Sequence, residues 1–213
     1  MRAIITISIF LISIYAEEPV AVKITDAISH IYTIDSGKMV KVHRIQDTAN
    51  RLTDDFTKTS RVCPPFCIQP TKVREGIQNI EELELLNFMK EDVVEGRGIV
   101  VDARLKSWFE FETIPSAINI PFTLIERATK SRVERLFSIL GMKIKSDGSW
   151  DFSGAKRLAV FCNGVWCKQS KIFINSMVEH GYPEDKILYY RSGFQGWKLL
   201  GLTTTVHKEV KER

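Results

Sequence analysis

What is scarce in this chain sets its first limits. Only 4 of its 213 residues are cysteine and 4 are histidine. Four cysteines are too few for a disulfide-dense scaffold. No histidine pairs with a cysteine: His30 and His43 fall in strand-like runs, His180 at a helix end and His207 near the tail. We assign no metal ligand, no Cys–His dyad and no cofactor. Charge of one sign is missing too. Lys and Arg number 30 against 26 Asp and Glu, a net charge of +4, and the basic residues are scattered. A nucleic-acid surface would show a clustered basic stripe, so no nucleic-acid partner is expected. The terminal K-E-V-K-E-R, 208–213, mixes signs and reads as a solvated tail. Repeats and low-complexity tracts are absent. With 44% hydrophobic residues, the composition is that of a globular protein able to bury a full core.

Long apolar runs are absent after the first residues. The one such run, Ile4 to Tyr15, follows Arg2 and ends at Ala16 before two glutamates. A basic start, a short apolar stretch and a small residue describe a secretory signal peptide, here 1–16. The run is too short to cross a hydrocarbon core of about 30 Å. The expectation is a periplasmic or secreted protein with no stable membrane insertion after cleavage. Export would put the cysteines in an oxidising compartment. They fall in two close pairs, Cys63/Cys67 and Cys162/Cys167.

Residues 17–75 read as a small β-rich extension. I-S-H-I-Y-T-I and M-V-K-V-H-R-I flank Asp35-Ser36-Gly37, which predicts a hairpin with its turn there. The stretch 46–59 is polar and irregular. Arg61 to Pro70, R-V-C-P-P-F-C-I-Q-P, holds three prolines and must be an ordered loop, since proline excludes regular helix and central strand. From residue 76 to 207 the texture changes. Asn79 to Lys90 has helical spacing with Asn79 as N-cap. Gly98–Ala103, Arg157–Phe161 and Ile187–Tyr190 are buried-strand runs. Val133–Gly141, Gln169–His180 and Gly193–Leu200 read as helices, the first two closed by glycine. Strands alternating with helices predict an α/β fold with a parallel sheet flanked by helices.

Chemistry concentrates in L-A-V-F-C-N-G-V-W-C-K-Q-S-K, Leu158 to Lys171. Cys162 ends a buried strand, and a glycine-containing loop leads straight into a helix. In open α/β sheets ligands bind outside the carboxyl ends of strands. Unpaired amides at the helix start would hold a thiolate and the anion of a donor, and such a position lowers a thiol's pKa. Lys168 adds a cation. The expectation is a solvent-open Cys162 thiolate ringed by main-chain donors, with Val165 and Trp166 as an apolar wall.

Three blocks, in order, resemble the rhodanese family. V-V-D-A-R (Val100 to Arg104) is similar to the family's strand ending in Asp-x-Arg. T-I-P-S-A-I-N-I-P-F (Thr113 to Phe122) is similar to its G-H-I-P-G-A-I-N-I-P signature. Gly181 to Trp197, after the V-F-C loop, is similar to its closing strand and Gly-x-x-x-Trp helix. The resemblance covers about Asn79 to Thr205 and implies a rhodanese-like parallel sheet and a sulfurtransferase. Cys162 would carry sulfur as a persulfide from a donor such as thiosulfate to a thiol or protein acceptor. Cys162 and Cys167 are the candidate catalytic residues. Asn163, Gly164, Val165, Trp166, Lys168, Arg104, Asp102 and Arg191 are the candidate donor-binding residues.

The loop departs from the family's C-x-x-G-x-R-S. Ser170 falls eight positions after Cys162, and Lys168 stands in for arginine. A lysine lacks the guanidinium fork, which also argues against the C-x5-R phosphate loop of a related fold. Cys167 could resolve a Cys162 persulfide, take over its sulfur, or be inert. Cys63 and Cys67 allow a local disulfide, a redox pair exchanging with Cys162 or Cys167, or part of a four-cysteine metal site. The rival functions are a thiol–disulfide oxidoreductase or persulfide reductase and a non-catalytic binding module of the same fold.

Overall fold

The computed structural model describes residues 20–207. The expected signal peptide at 1–16 and the tail at 208–213 lie outside the described residues. The chain opens with an antiparallel hairpin, β1 (His30–Asp35) and β2 (Lys38–His43). Its turn falls at the predicted place, with Ser36 and Gly37 both at positive φ, the backbone that a two-residue hairpin turn requires. Ile31 and Val42 point inward into one core cluster. The Thr33 hydroxyl is buried and bonds to the Met89 carbonyl (3.1 Å) and the Ser116 hydroxyl (2.8 Å), so the hairpin is docked on the main body of the protein.

That main body runs β3 (Gln78–Ile80), α1 (Glu82–Phe88), β4 (Gly98–Asp102), α2 (Lys106–Phe111), β5 (Ala117–Asn119), α3 (Lys130–Ile139), the small ladder β6 (Lys143–Ile144) and β7 (Trp150–Asp151), β8 (Arg157–Phe161), α4 (Gln169–Glu179), β9 (Ile187–Tyr190) and α5 (Gly193–Leu199). Five strands form one parallel sheet in the order β3-β9-β8-β4-β5. This is the expected α/β architecture. Strand residues alternate between two cores, as the two-residue period of a pleat demands. Val101, Leu158, Val160 and Tyr189 pack with Phe137, Phe173 and Met177 of α3 and α4 on one face. Val100, Ala159, Phe161 and Tyr190 pack with Leu85, Leu86, Phe194 and Trp197 of α1 and α5 on the other. No helix among the described residues is long and apolar enough to cross a membrane.

One boundary differs from expectation. Asn79 does not cap α1; it lies in β3, paired with Tyr189 of β9, and its amide bonds to the Thr71 carbonyl (2.9 Å). The exposed edge of β9 needs hydrogen-bond partners, and that need outweighs the helical spacing here. Glu81 starts the helix instead, through a reciprocal bond with Glu84.

Candidate active site

β8 and β4 run parallel, with Phe161 beside Asp102, so Cys162 emerges at the carboxyl end of a central strand. The chain then turns through Asn163 and Gly164 and enters α4 at Gln169. The loop is held from outside by the start of α5. The Phe194 amide donates to the Cys162 carbonyl and the Gln195 amide to the Asn163 carbonyl, each at 2.9 Å. Gly193 makes that approach possible. Its φ is +61°, and a Cβ there would lie 2.5 Å from the Cys162 carbonyl oxygen and 2.8 Å from the Gly164 nitrogen. The Gly-x-x-x-Trp helix thus contributes a glycine that fits against the reactive loop.

The Cys162 thiol is not open to solvent as expected; the residue is 2% exposed. Its surroundings are nevertheless polar. The sulfur lies 3.1 Å from the Ser170 hydroxyl. The Cys167 thiol and the backbone N–H groups of Ser170 and Gly164 are close enough to favour its charged form. Burial pushes its pKa up, but those donors, Cys167 first and Ser170 next, outweigh it and bring it down to about 7. One neighbour opposes them: the Cys167 carbonyl, at 3.3 Å, accepts from the protonated thiol. The expected ring of donors is therefore present, but it closes around the sulfur instead of leaving it bare. Cys167 has the opposite fate. Burial, reinforced by the neighbouring Cys162, pushes its pKa far up. It stays protonated and serves as donor to its partner. Tyr189 is buried beside the pair, and burial with the Cys162 charge pushes its phenol up to about 12, so it too remains neutral.

Asp102 and Arg104 are fully buried and satisfy each other. Arg104 Nε and Nη2 donate to the carboxylate at 2.9 and 2.7 Å, and Thr113 Oγ1 adds a third bond at 2.7 Å. The guanidinium also donates to the Glu112 carbonyl (2.7 Å) and stacks on Phe194, 4.4 Å from the ring centre. It reaches the loop only through a long 3.4 Å contact to the Asn163 side chain. This pair is a brace behind the loop, set away from the sulfur. Lys168 is exposed and is not among the partners of the Cys162 sulfur. Ser170, in the first turn of α4, is the side chain that meets the sulfur, at the place where the sequence suggested Lys168.

Val165 and Trp166 are half-buried and meet residues 61–70. The Gln69 amide donates to the Val165 carbonyl (2.9 Å), and Arg191 donates to the Gln69 carbonyl (3.0 Å). Phe66 meets Trp166 edge-on at 5.5 Å, and the Arg61 guanidinium lies 4.3 Å over the same ring. Arg191 therefore holds this covering segment. Cys63 and Cys67 form a disulfide within it, whereas Cys162 and Cys167 are reduced. The bond between Cys63 and Cys67 removes the four-cysteine metal reading. Among the described residues no group of three or more His, Cys, Asp or Glu could hold a metal ion.

Sequence reasoning missed three contributors. Ser170 was visible only as a shifted register mark, although its place in the first turn of α4 could have suggested a donor. Gly193 carried a signal in its motif. The covering segment had none, since nothing in a proline-rich loop says which surface it lies on.

A cysteine at a central strand end, reduced, cradled by amides and hydroxyls and leading into a helix, in a five-stranded parallel sheet, defines the rhodanese class of α/β domain. The model of the family described as Rhodanese-like domain matches residues 82–200, more than half of the chain, and the chain belongs to that family. Solved structures similar to it include a Bacillus halodurans protein (18% identity, 61% of this chain and 77% of that one, TM-score 0.44). Others are the thiosulfate sulfurtransferase of Pseudomonas aeruginosa (18%, 62% and 21%, 0.41) and a rhodanese with anions from E. coli (19%, 51% and 98%, 0.34). A search of curated proteins finds no match.

Proposed function

We propose that this protein is a sulfurtransferase that carries sulfane sulfur on Cys162. The observation that carries the reading is the placement of Cys162 at the carboxyl end of a central strand with its sulfur 3.1 Å from the Ser170 hydroxyl; its neighbours bring the thiol's pKa down to about 7, so a large share is thiolate near neutral pH. A thiolate is the nucleophile in such chemistry. With thiosulfate as donor, the Cys162 thiolate attacks the outer sulfur. The sulfur–sulfur bond of the donor breaks, sulfite leaves with the electron pair, and Cys162 becomes a persulfide. An acceptor thiolate then attacks the terminal sulfur, takes it as its own persulfide and restores the Cys162 thiolate. The loop amides that stabilise the resting charge are in place for the charge on the persulfide. The enzyme works outside the cytoplasm in this reading, supported by the apolar run at 4–15 and by the Cys63–Cys67 disulfide.

A second reading is favoured by the closeness of Cys167, whose carbonyl lies 3.3 Å from the Cys162 sulfur. Cys167 would attack the inner sulfur of the Cys162 persulfide and pass its proton to the departing sulfur, so that a Cys162–Cys167 disulfide forms and sulfide leaves. Transfer from thiosulfate to a small thiol, followed in wild type, Cys162→Ser and Cys167→Ser, tests both. Simple transfer requires that Cys162→Ser fall to background while Cys167→Ser keeps turning over. Turnover by Cys162→Ser would overturn the proposal; sulfide release that stops in Cys167→Ser would favour the second reading.

A further inference from the structure

Residues 61–70 form a small cap whose shape is fixed by one bond. Phe66 turns back on Val62, its amide donating to the Val62 carbonyl at 3.0 Å. The Cys63–Cys67 disulfide ties the two sides of that turn. Gln69 continues it, its side chain donating to the Cys67 carbonyl at 2.8 Å. The cap is seated on the outer face of the Cys162 loop at four points: Arg61 and Phe66 on Trp166, Gln69 on Val165, and Arg191 under Gln69. Trp166 is itself fixed beneath, its indole N–H donating to Gln195 at 2.8 Å. No helix or strand spans residues 58–77, so this seat rests on a few aromatic and polar contacts.

The disulfide is also reachable. Cys63 is exposed, and both cysteines border a groove of about 1080 Å³ whose wall includes Arg61, Phe66 and Trp166. An entering thiol would meet the disulfide on one side and the reactive loop's tryptophan on the other. Exposed disulfides are the ones open to exchange, while the buried Cys162 is shielded from it.

From this placement we infer that the Cys63–Cys67 disulfide is a second thiol-exchange site, taking a dithiol as substrate, and that it latches the cap onto the Cys162 loop. The inference rests on the reading of Cys162 as the reactive sulfur. One thiolate of the dithiol attacks the Cys63 sulfur; the Cys63–Cys67 bond breaks and Cys67 leaves as a thiolate that takes up a proton. The second thiol, on losing its proton, displaces Cys63. The dithiol is oxidised to its disulfide, and the cap receives two electrons and holds two thiols. Released from its cross-link, the cap leaves Val165 and Trp166, and the loop opens toward Cys162. The latched form protects a persulfide from stray thiols; the opened form admits an acceptor.

The test is the rate at which iodoacetamide alkylates Cys162, read by peptide mass on the whole chain. Oxidised wild type is compared with wild type reduced by dithiothreitol and desalted, with Cys63→Ser/Cys67→Ser, and with Arg61→Ala/Phe66→Ala, which keeps the disulfide but loses the seat. All three altered forms should react about tenfold or more faster than the oxidised protein, as an opened segment exposes a shielded group. Equal rates, or a disulfide that dithiothreitol leaves intact, overturn the latch. If the serine variant loses its thermal transition, reduced wild type and the cap-seat variant decide. Run at a pH well above the Cys162 midpoint, where the thiolate fraction is full in every form, alkylation reads access, so its failure leaves sulfur transfer standing, and a failure of transfer leaves the access result standing.

Discussion

Two cysteine pairs of nearly equal spacing, five residues apart at Cys162/Cys167 and four at Cys63/Cys67, end in opposite states. The first pair is buried and reduced, with the Cys162 thiol donating to the Cys167 carbonyl at 3.3 Å. The second is joined and lies at the surface. Spacing alone does not decide between these outcomes. Cys162 is fixed at a strand end and Cys167 just before a helix, so neighbouring amides and Ser170 serve the sulfur. Cys63 and Cys67 belong to a turn without regular structure, where the covalent bond itself does the fixing. The inner pair is built for charge, the outer pair for shape.

The largest effect on the inner pair should come from its brace. Replacing Asp102 with Ala would leave the Arg104 guanidinium buried and unpaired, which costs about 3–5 kcal/mol. A urea titration of the whole chain should show that loss, while Lys168→Ala, at an exposed position, should change stability by less than about 0.5 kcal/mol. Comparable losses would mean that the brace is not where the loop is held.

Gly193→Ala should come next. Its left-handed backbone and its contact with the Cys162 carbonyl make the cost roughly 1–3 kcal/mol. Sulfur transfer should drop further than that loss of stability explains, because the displaced segment is the reactive loop itself. A variant that is less stable but transfers sulfur normally would show that the loop tolerates displacement.

The smallest effect concerns the hydrogen bond between the inner thiols. Alkylation of Cys162 in the opened-cap protein should rise with pH to a plateau with its midpoint near the value of about 7 set by its donors. Cys167→Ala removes a donor to the thiolate, so the midpoint should move up, by roughly one unit. Cys167→Ser restores a hydroxyl donor and should recover most of the shift. A midpoint that falls, or stays fixed in both variants, would contradict the donor role of Cys167.

The contrast between the pairs also marks what was legible in the sequence. Gly98–Ala103, Arg157–Phe161 and Ile187–Tyr190 announced the sheet, because strands buried on both faces are continuously apolar. The hairpin turn announced itself through Ser36-Gly37. Cys162 stood out as the strand-end residue before a glycine loop. In contrast, α2 is only six residues, under two turns, too short to show a helical period even though Trp108 and Phe109 pack on the core. β3 has three residues, too few for a period, and its pairing with β9 spans more than a hundred residues. A long separation, 96 residues, hid the cap as well: Gln69 and Val165 meet through backbone groups, which every residue carries and no composition reveals. The expectation of an open thiol failed because the Cys167 carbonyl and Ser170 close around the sulfur.

The most direct measurement of the central claim is the mass of the Cys162 peptide after the whole protein is incubated with thiosulfate and digested without reductant. The account predicts a gain of one sulfur atom, about 32 Da, on that peptide alone. An unmodified Cys162 peptide from protein that nevertheless transfers sulfur would contradict it.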